Sequence, residues 1–172
     1  MRIESTEFTG EDLDRFLDDL VERERDLLVE RLERVSARVG ELAPRVPDEP
    51  ASGSEAWNAR EVLAHIAVLS KFYGVVGYRI GSGEMSELDL RGNVSQRDVQ
   101  GERLAQLPPS QLLAMAQADH DRTLDWLRGA TSAQLRRRCD MGEGMSMTAE
   151  DVLRLALCAH LEQHVEQLER AL

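Results

Sequence analysis

The stretch Leu157–Leu172, LCAHLEQHVEQLERAL, repeats at the helical period and carries two histidines, His160 and His164, one turn apart. Extended back to Leu153, its inward stripe reads Leu153, Leu157, His160, His164 and Leu168, so both imidazoles lie on the apolar face. A polar residue on a core stripe requires an explanation, because burying an imidazole without a partner is costly. Two are open: the pair holds a metal ion, since side chains four apart on a helix stand about 5–6 Å from each other, or the histidines fill a packed interface.

The helix that carries this pair opens in MTAEDV, where Thr148 is an N-cap, Asp151 stands at the third helical position, and Met147 and Val152 occupy staple positions. The same grammar occurs in WNAREVLAH: Asn58 caps, Glu61 completes the capping box, and Trp57 and Val62 take the staple positions. That second helix is predicted to run to about Ile80, with Val62, His65, Leu69, Phe72, Val76 and Ile80 inward. A first helix is predicted over Gly10–Leu42 from the recurrence of Leu13, Phe16, Leu17, Leu20, Leu27, Leu28, Leu32, Val35 and Val39. A third starts at Pro109 or Ser110 and reaches Arg128, with Leu113, Ala116, His120, Leu124 and Leu127 on one face. No strand-like alternation and no internal repeat is evident.

Between these helices, APRVPDEPASGSEA reads as a loop on its prolines, glycine and serines. The stretch from Gly81 to Pro109 is longer than the roughly 2–8 residues that join antiparallel neighbours, so it is read as a crossover with a short helix near Val94–Leu104. The fold class is therefore all-α: a four-helix bundle in one domain of 172 residues, with a long crossover between helices two and three.

At 1.5 Å per residue, His65 lies roughly 10 Å from the start of helix two and His164 about 12 Å from the end of helix four, nearly the same depth if the two run antiparallel. His160 is then about 18 Å deep, and His120 about 15 Å from the start of helix three. Three imidazoles leave a coordination position open, as catalytic metal sites do. Imidazole donors suit Zn, Ni, Fe or Cu, and nothing in the sequence selects among them. His120 is open to three roles beside that of a hydrogen-bonded core histidine: fourth ligand, second-shell donor or substrate contact. Glu61, one turn before His65, either orients that imidazole or serves only its cap. Cys158 is expected to point away from His160 and to be inert, as is Cys139, both reduced. Arg154 is expected to face solvent.

Composition excludes other classes. A net charge of −11 argues against binding a phosphate backbone, and the one basic run, QLRRRCD, is short. No apolar stretch approaches the ~20 residues that span a bilayer, and MRIESTEFTGEDLD lacks a signal peptide's apolar region, so a cytoplasmic protein without membrane or nucleic-acid partners is expected.

In WNAREVLAHIAVL and HLEQHVEQL, and in the order of its helices, the chain resembles the DinB-like superfamily of four-helix-bundle metalloenzymes. The resemblance covers essentially the whole chain and implies an up-down-down-up bundle, a homodimer, and a divalent metal held by His65, His160 and His164. It further implies a low-molecular-weight thiol, bacillithiol or mycothiol, transferred to a small electrophile in detoxification or stress response. The alternative is a non-catalytic metal- or ligand-binding stress protein of the same fold. One relative, the mycothiol-dependent maleylpyruvate isomerase, has a carboxylate among its ligands and an extra carboxy-terminal domain. This chain has histidine at all three positions and stops after helix four, which argues against that particular reaction.

Overall fold

In the computed structural model, residues 9–48, 57–89, 92–93 and 100–172 are described. Helix α1 spans Gly10–Leu42 and ends in a 3-10 turn, Ala43–Arg45. Helix α2 spans Ala59–Ser82, α3 Pro109–Gly129, and α4 is the single turn Ser132–Leu135. Strands β1 (Arg138–Asp140) and β2 (Ser146–Thr148) follow. The last helix begins as α5 (Ala149–Asp151), continues as a π-helical segment (Val152–Ala159) and finishes as α6 (His160–Ala171). The chain is mostly helical, in agreement with the all-α reading.

Local chemistry sets these boundaries. Asn58 Oδ1 accepts from the backbone N–H groups of Arg60 and Glu61, while Glu61 Oε2 accepts from Asn58 N at 2.8 Å, closing the predicted box at the start of α2. Gly83 ends the helix at φ 85°, a left-handed conformation that glycine adopts without a Cβ penalty. Thr148 and Asp151 exchange the same pair of bonds at 2.9 and 3.0 Å. Pro109 occupies the first turn of α3, where its missing N–H costs nothing.

Contacts fix the relative directions of the helices in pairs. Ser70 meets His120, and Gly74 and Gly81 abut Thr123 and Trp126, so α2 and α3 run parallel. The ion pairs of Arg31 with Glu162 and of Arg38 with Glu169 advance together, so α1 and α6 are parallel too. Arg25 reaches the Ala130 carbonyl while Gly40 lies against Gln117, so α1 opposes α3. The core draws on Leu32, Val39 and Leu42 of α1, Leu63, Ile66 and Leu69 of α2, Leu112 and Leu127 of α3, and Leu153, Leu161 and Leu168 of the last helix.

Three features depart from the sequence reading. First, β1 and β2 form an antiparallel hairpin, Cys139 opposite Met147, although no strand was expected. Each strand is three residues long, too short to show alternation, and the turn between them depends on positive φ at Gly142, Glu143 and Gly144. The hairpin anchors the start of the crossover: Leu88 N donates to Asp140 O, and Asp140 N to Ser86 O, both at 2.8 Å. Second, the fourth helix is π-helical immediately before His160. Third, Leu13, Phe16, Leu20 and Leu27, part of the apolar recurrence from which α1 was predicted, are 39–49% exposed. Residues 100–104 are helical, which accounts for the Leu104 end of the short helix predicted in the crossover; positions 94–99 lie outside the described residues, as do 49–56 of the first loop. Among the described residues, no helix is long and apolar enough to cross a membrane.

Candidate metal centre

The antiparallel contact of α2 with the last helix brings the early histidine of one against the late histidines of the other. One donor atom from each of His65, His160 and His164 lies within 4.8 Å of the other two. The His65 ring centroid is 4.5 Å from that of His164 and 5.9 Å from that of His160, and the pair on α6 is 4.8 Å apart. His65 is buried and the other two half-buried, so the cluster sits at the edge of the core and not at its centre.

This donor set fits a metal ion. Nitrogens sharing one tetrahedral ion at about 2.0–2.1 Å stand about 3.3 Å from each other, so donors at most 4.8 Å apart have to close by no more than about 1.5 Å to share one. His164 Nδ1 lies 2.9 Å from Gln167 Oε1, an oxygen that can only accept; the proton is thereby held on Nδ1, and the lone pair is on Nε2. Gln167 went unnoticed in the sequence, although its spacing of three from His164 puts it on the same face.

Trp57 is the second residue whose role the sequence concealed. It was assigned to the hydrophobic staple of α2, yet its indole is 47% exposed. The ring stands edge-on to His65 at 4.6 Å and nearly parallel to His164 at 6.0 Å. Tyr73 approaches from two turns farther along α2, 6.4 Å from His160. A cavity of about 440 Å³ opens beside His65, walled by Trp57, Glu61, Glu102 and Gln106.

His120 stands apart from the other three histidines. It is 1% exposed, and its ring nitrogen Nε2 is 2.8 Å from Ser70 Oγ. The serine hydroxyl already donates to Ile66 O at 2.7 Å, so Nε2–H is the donor to it. Nδ1 is then a buried acceptor with no hydrogen-bond partner among the described residues. Burial lowers the pKa of His120 to about 4, against the opposing pull of Asp119 and Asp121. Of the roles left open, the geometry gives it that of a hydrogen-bonded core histidine. Glu61 is engaged in its capping box while also lining the cavity.

The cysteines lie where the sequence put them, whereas Arg154, expected to face solvent, is half-buried. Cys158 is fully buried with Sγ toward Leu28 O of α1, and burial pushes its pKa up to about 12, the opposite of a reactive thiol. Burial also raises the pKa of Cys139. Arg154 pairs with Glu150 and Asp151 of its own helix.

Comparison with curated proteins finds no match to this chain, and comparison with solved structures finds none either. The family model of the DinB superfamily matches residues 20–168, a span that includes α2, the crossover and all three clustered histidines, and the chain belongs to that superfamily.

Proposed function

We propose that His65, His160 and His164 hold one divalent ion, Zn, Ni or Fe, in an up-down-down-up four-helix bundle, and that the protein is a metal-dependent transferase of low-molecular-weight thiols. The pairwise helix directions support that order of helices. The observation carrying the metal reading is the convergence of three imidazole donors from two helices within 4.8 Å, beside an open cavity. Bound there, the ion would lower the pKa of a thiol at its free position and so supply a thiolate at neutral pH.

The remaining work falls to the chain's own residues. Gln167 holds the proton of His164 on Nδ1, and Trp57 shields one side of the cluster from water. The cavity of about 440 Å³ accommodates a small electrophile. In the transfer, the thiol sulfur forms a bond to the electrophilic carbon, the leaving group departs with its electron pair, and the thiol proton passes to solvent. Bacillithiol or mycothiol is the thiol that the resemblance implies.

The second reading is a non-catalytic metal- or ligand-binding stress protein. It is favoured by Glu61, the carboxylate nearest His65 in the chain, being held in its cap and not free to relay protons.

Metal analysis of tag-free protein beside His65→Ala and His164→Ala separates these readings from simple packing. One equivalent in the wild type, lost in both variants, is expected. Thiol-dependent consumption of a chromogenic aryl halide, abolished in His160→Ala, would support transfer. Metal without turnover across a panel of thiols would favour the binding protein, and protein that takes up no metal on reconstitution would remove both.

A further inference from the structure

Lys71 is the only lysine in the chain, and it stands exposed on α2 with no ion pair among the described residues. The contrast is with α1, where Arg15, Arg25, Arg31, Arg34 and Arg38 each hold a carboxylate. In a protein with 32 acidic side chains against 21 basic ones, a cation left without an acid calls for a ligand or for solvent. Lys71 borders a cavity of about 390 Å³ enclosed between α2, Met115 of α3, and Met85, Leu88 and Leu104 of the crossover. This cavity shares no described lining residue with the one beside His65.

Its lining selects a chemistry. Helix α2 contributes Val68, Phe72, Val75 and Val76, together with Lys71 and Arg79, and spacings of three and four keep these on one flank. Among the described lining residues none is acidic, and the other polar ones, Asn93 and Gln100, are amides that can donate hydrogen bonds. Arg79 has a 3.9 Å contact with Glu84, so Lys71 is the freer of the two charges. A neighbouring groove between α2 and α3 also touches Lys71, but there the buried Asp119 adds a carboxylate and already pairs with Arg122.

We propose that the cavity under the crossover binds a small amphipathic carboxylate, its apolar body against Phe72, Leu104 and Met115 and its carboxyl group on the Lys71 ammonium. Volume and apolar walls are those of a small-molecule site, and methionines at 85 and 115 adapt to the shape of the guest. The lysine stem packs along the wall while its charge stays at the mouth. An amine of the same shape would meet Lys71 and Arg79 as like charges, and a sugar phosphate would bring hydroxyls that these walls cannot satisfy. Phe72 stands edge-on to Tyr73 at 4.9 Å, and Tyr73 is 6.4 Å from His160, so the carboxylate site neighbours the metal centre. It uses none of the three imidazoles and stands whether or not an ion is bound there.

Isothermal titration calorimetry of the purified protein, chelator-treated and again with Zn added, tests the site. Octanoate and naphthoate are the probes, the first reading for a flexible acyl chain and the second for a rigid aryl acid. At least one is expected to bind saturably, with octanol and octylamine weaker by about tenfold or more. Lys71→Gln should weaken the carboxylate about tenfold and leave octanol unchanged. Gln100→Glu, exposed and lining this cavity alone, should weaken the carboxylate too, with unchanged circular dichroism. Arg122→Gln, on the neighbouring groove, should bind like the wild type. No saturable binding of either carboxylate up to about 1 mM, or affinity that survives both Lys71→Gln and Gln100→Glu, would overturn the site. Loss in Arg122→Gln would move the anion to the α2–α3 groove, and binding that requires Zn would move it to the metal centre; either would overturn it as well.

Discussion

Helices α1 and α2 divide the labour of the bundle unequally. Of the 33 residues of α1, five are buried; of the 24 of α2, seventeen are, including the polar Arg60, His65 and Ser70. Helix α2 touches both α3 and the last helix along its length, and the polar groups it buries are tied down: Arg60 donates to the carbonyls of Asp48, Gln106 and Leu107, and Ser70 to Ile66 O. The more deeply buried of the two helices is also the one that contributes His65 and the Trp57 approach to the site. A histidine placed for metal binding needs rigid neighbours, and α2 provides them, whereas α1 retains a free face.

The largest test of that contrast is a matched pair of truncations. Ile66, adjacent to His65 and fully buried, contacts no solvent, and Ile66→Ala is expected to cost about 2–5 kcal/mol. Leu27→Ala, at 49% exposure on α1, should change protomer stability by less than about 0.5 kcal/mol. Urea unfolding of both checks the difference. Equal losses would mean that the N-terminal half of α1 is packed in solution in a way the exposure does not show.

A second, smaller effect concerns the α2–α3 seam. The pKa of His120 is lowered to about 4 by burial, below its ordinary 6.5. As pH falls from 6.5, the unfolded chain takes up this proton before the folded one, so stability declines down to about pH 4 and the slope then vanishes. The full loss is at most about 3 kcal/mol. Because the clustered histidines also titrate, the measure is the difference between wild type and His120→Gln across pH 7 to 4.5. The wild type should lose more; parallel curves would show that burial of His120 is not what couples the seam to pH.

How much of this was legible in the sequence depended on the range of the interaction that carried it. The caps at Asn58 and Thr148 are local, and their bonds were readable from residues three apart. The meeting of His65 with His160 and His164 was readable because helical rise converts sequence position into depth. The exposure of Leu13, Phe16, Leu20 and Leu27 was not legible, since periodicity reports that a face is apolar and not what covers it. The contacts of Trp57 with His65 and His164 were not legible for a related reason: position relative to a cap does not say where an indole finds its neighbours. The hairpin of β1 and β2 escaped because three-residue strands carry no period, and the π segment because nothing in Val152–Ala159 distinguishes i+5 from i+4 bonding before packing is known.

The smallest effect probes one of the places where α1 meets the helix that carries His160 and His164. Arg31 makes two hydrogen bonds to Glu162 of α6, at 2.8 and 2.6 Å, with Glu162 midway between His160 and His164. The pair is partly exposed, its side chains 24% and 40% accessible, so solvent screens it and about 0.5–1 kcal/mol is the expected cost of Arg31→Gln. The Arg31 hydrogen bonds hold the Glu162 carboxyl below its usual range, so acid removes the interaction only once that lowered pKa is approached. Helix α6 is anchored on this side by Arg31 and on the opposite one by α2. If α2 alone positions the histidines, Arg31→Gln will leave metal affinity unchanged while lowering stability slightly. A drop of tenfold or more in affinity for Zn, measured by competition with a chromophoric chelator, would instead make α1 a working wall of the site and weaken the contrast with which the two helices are described.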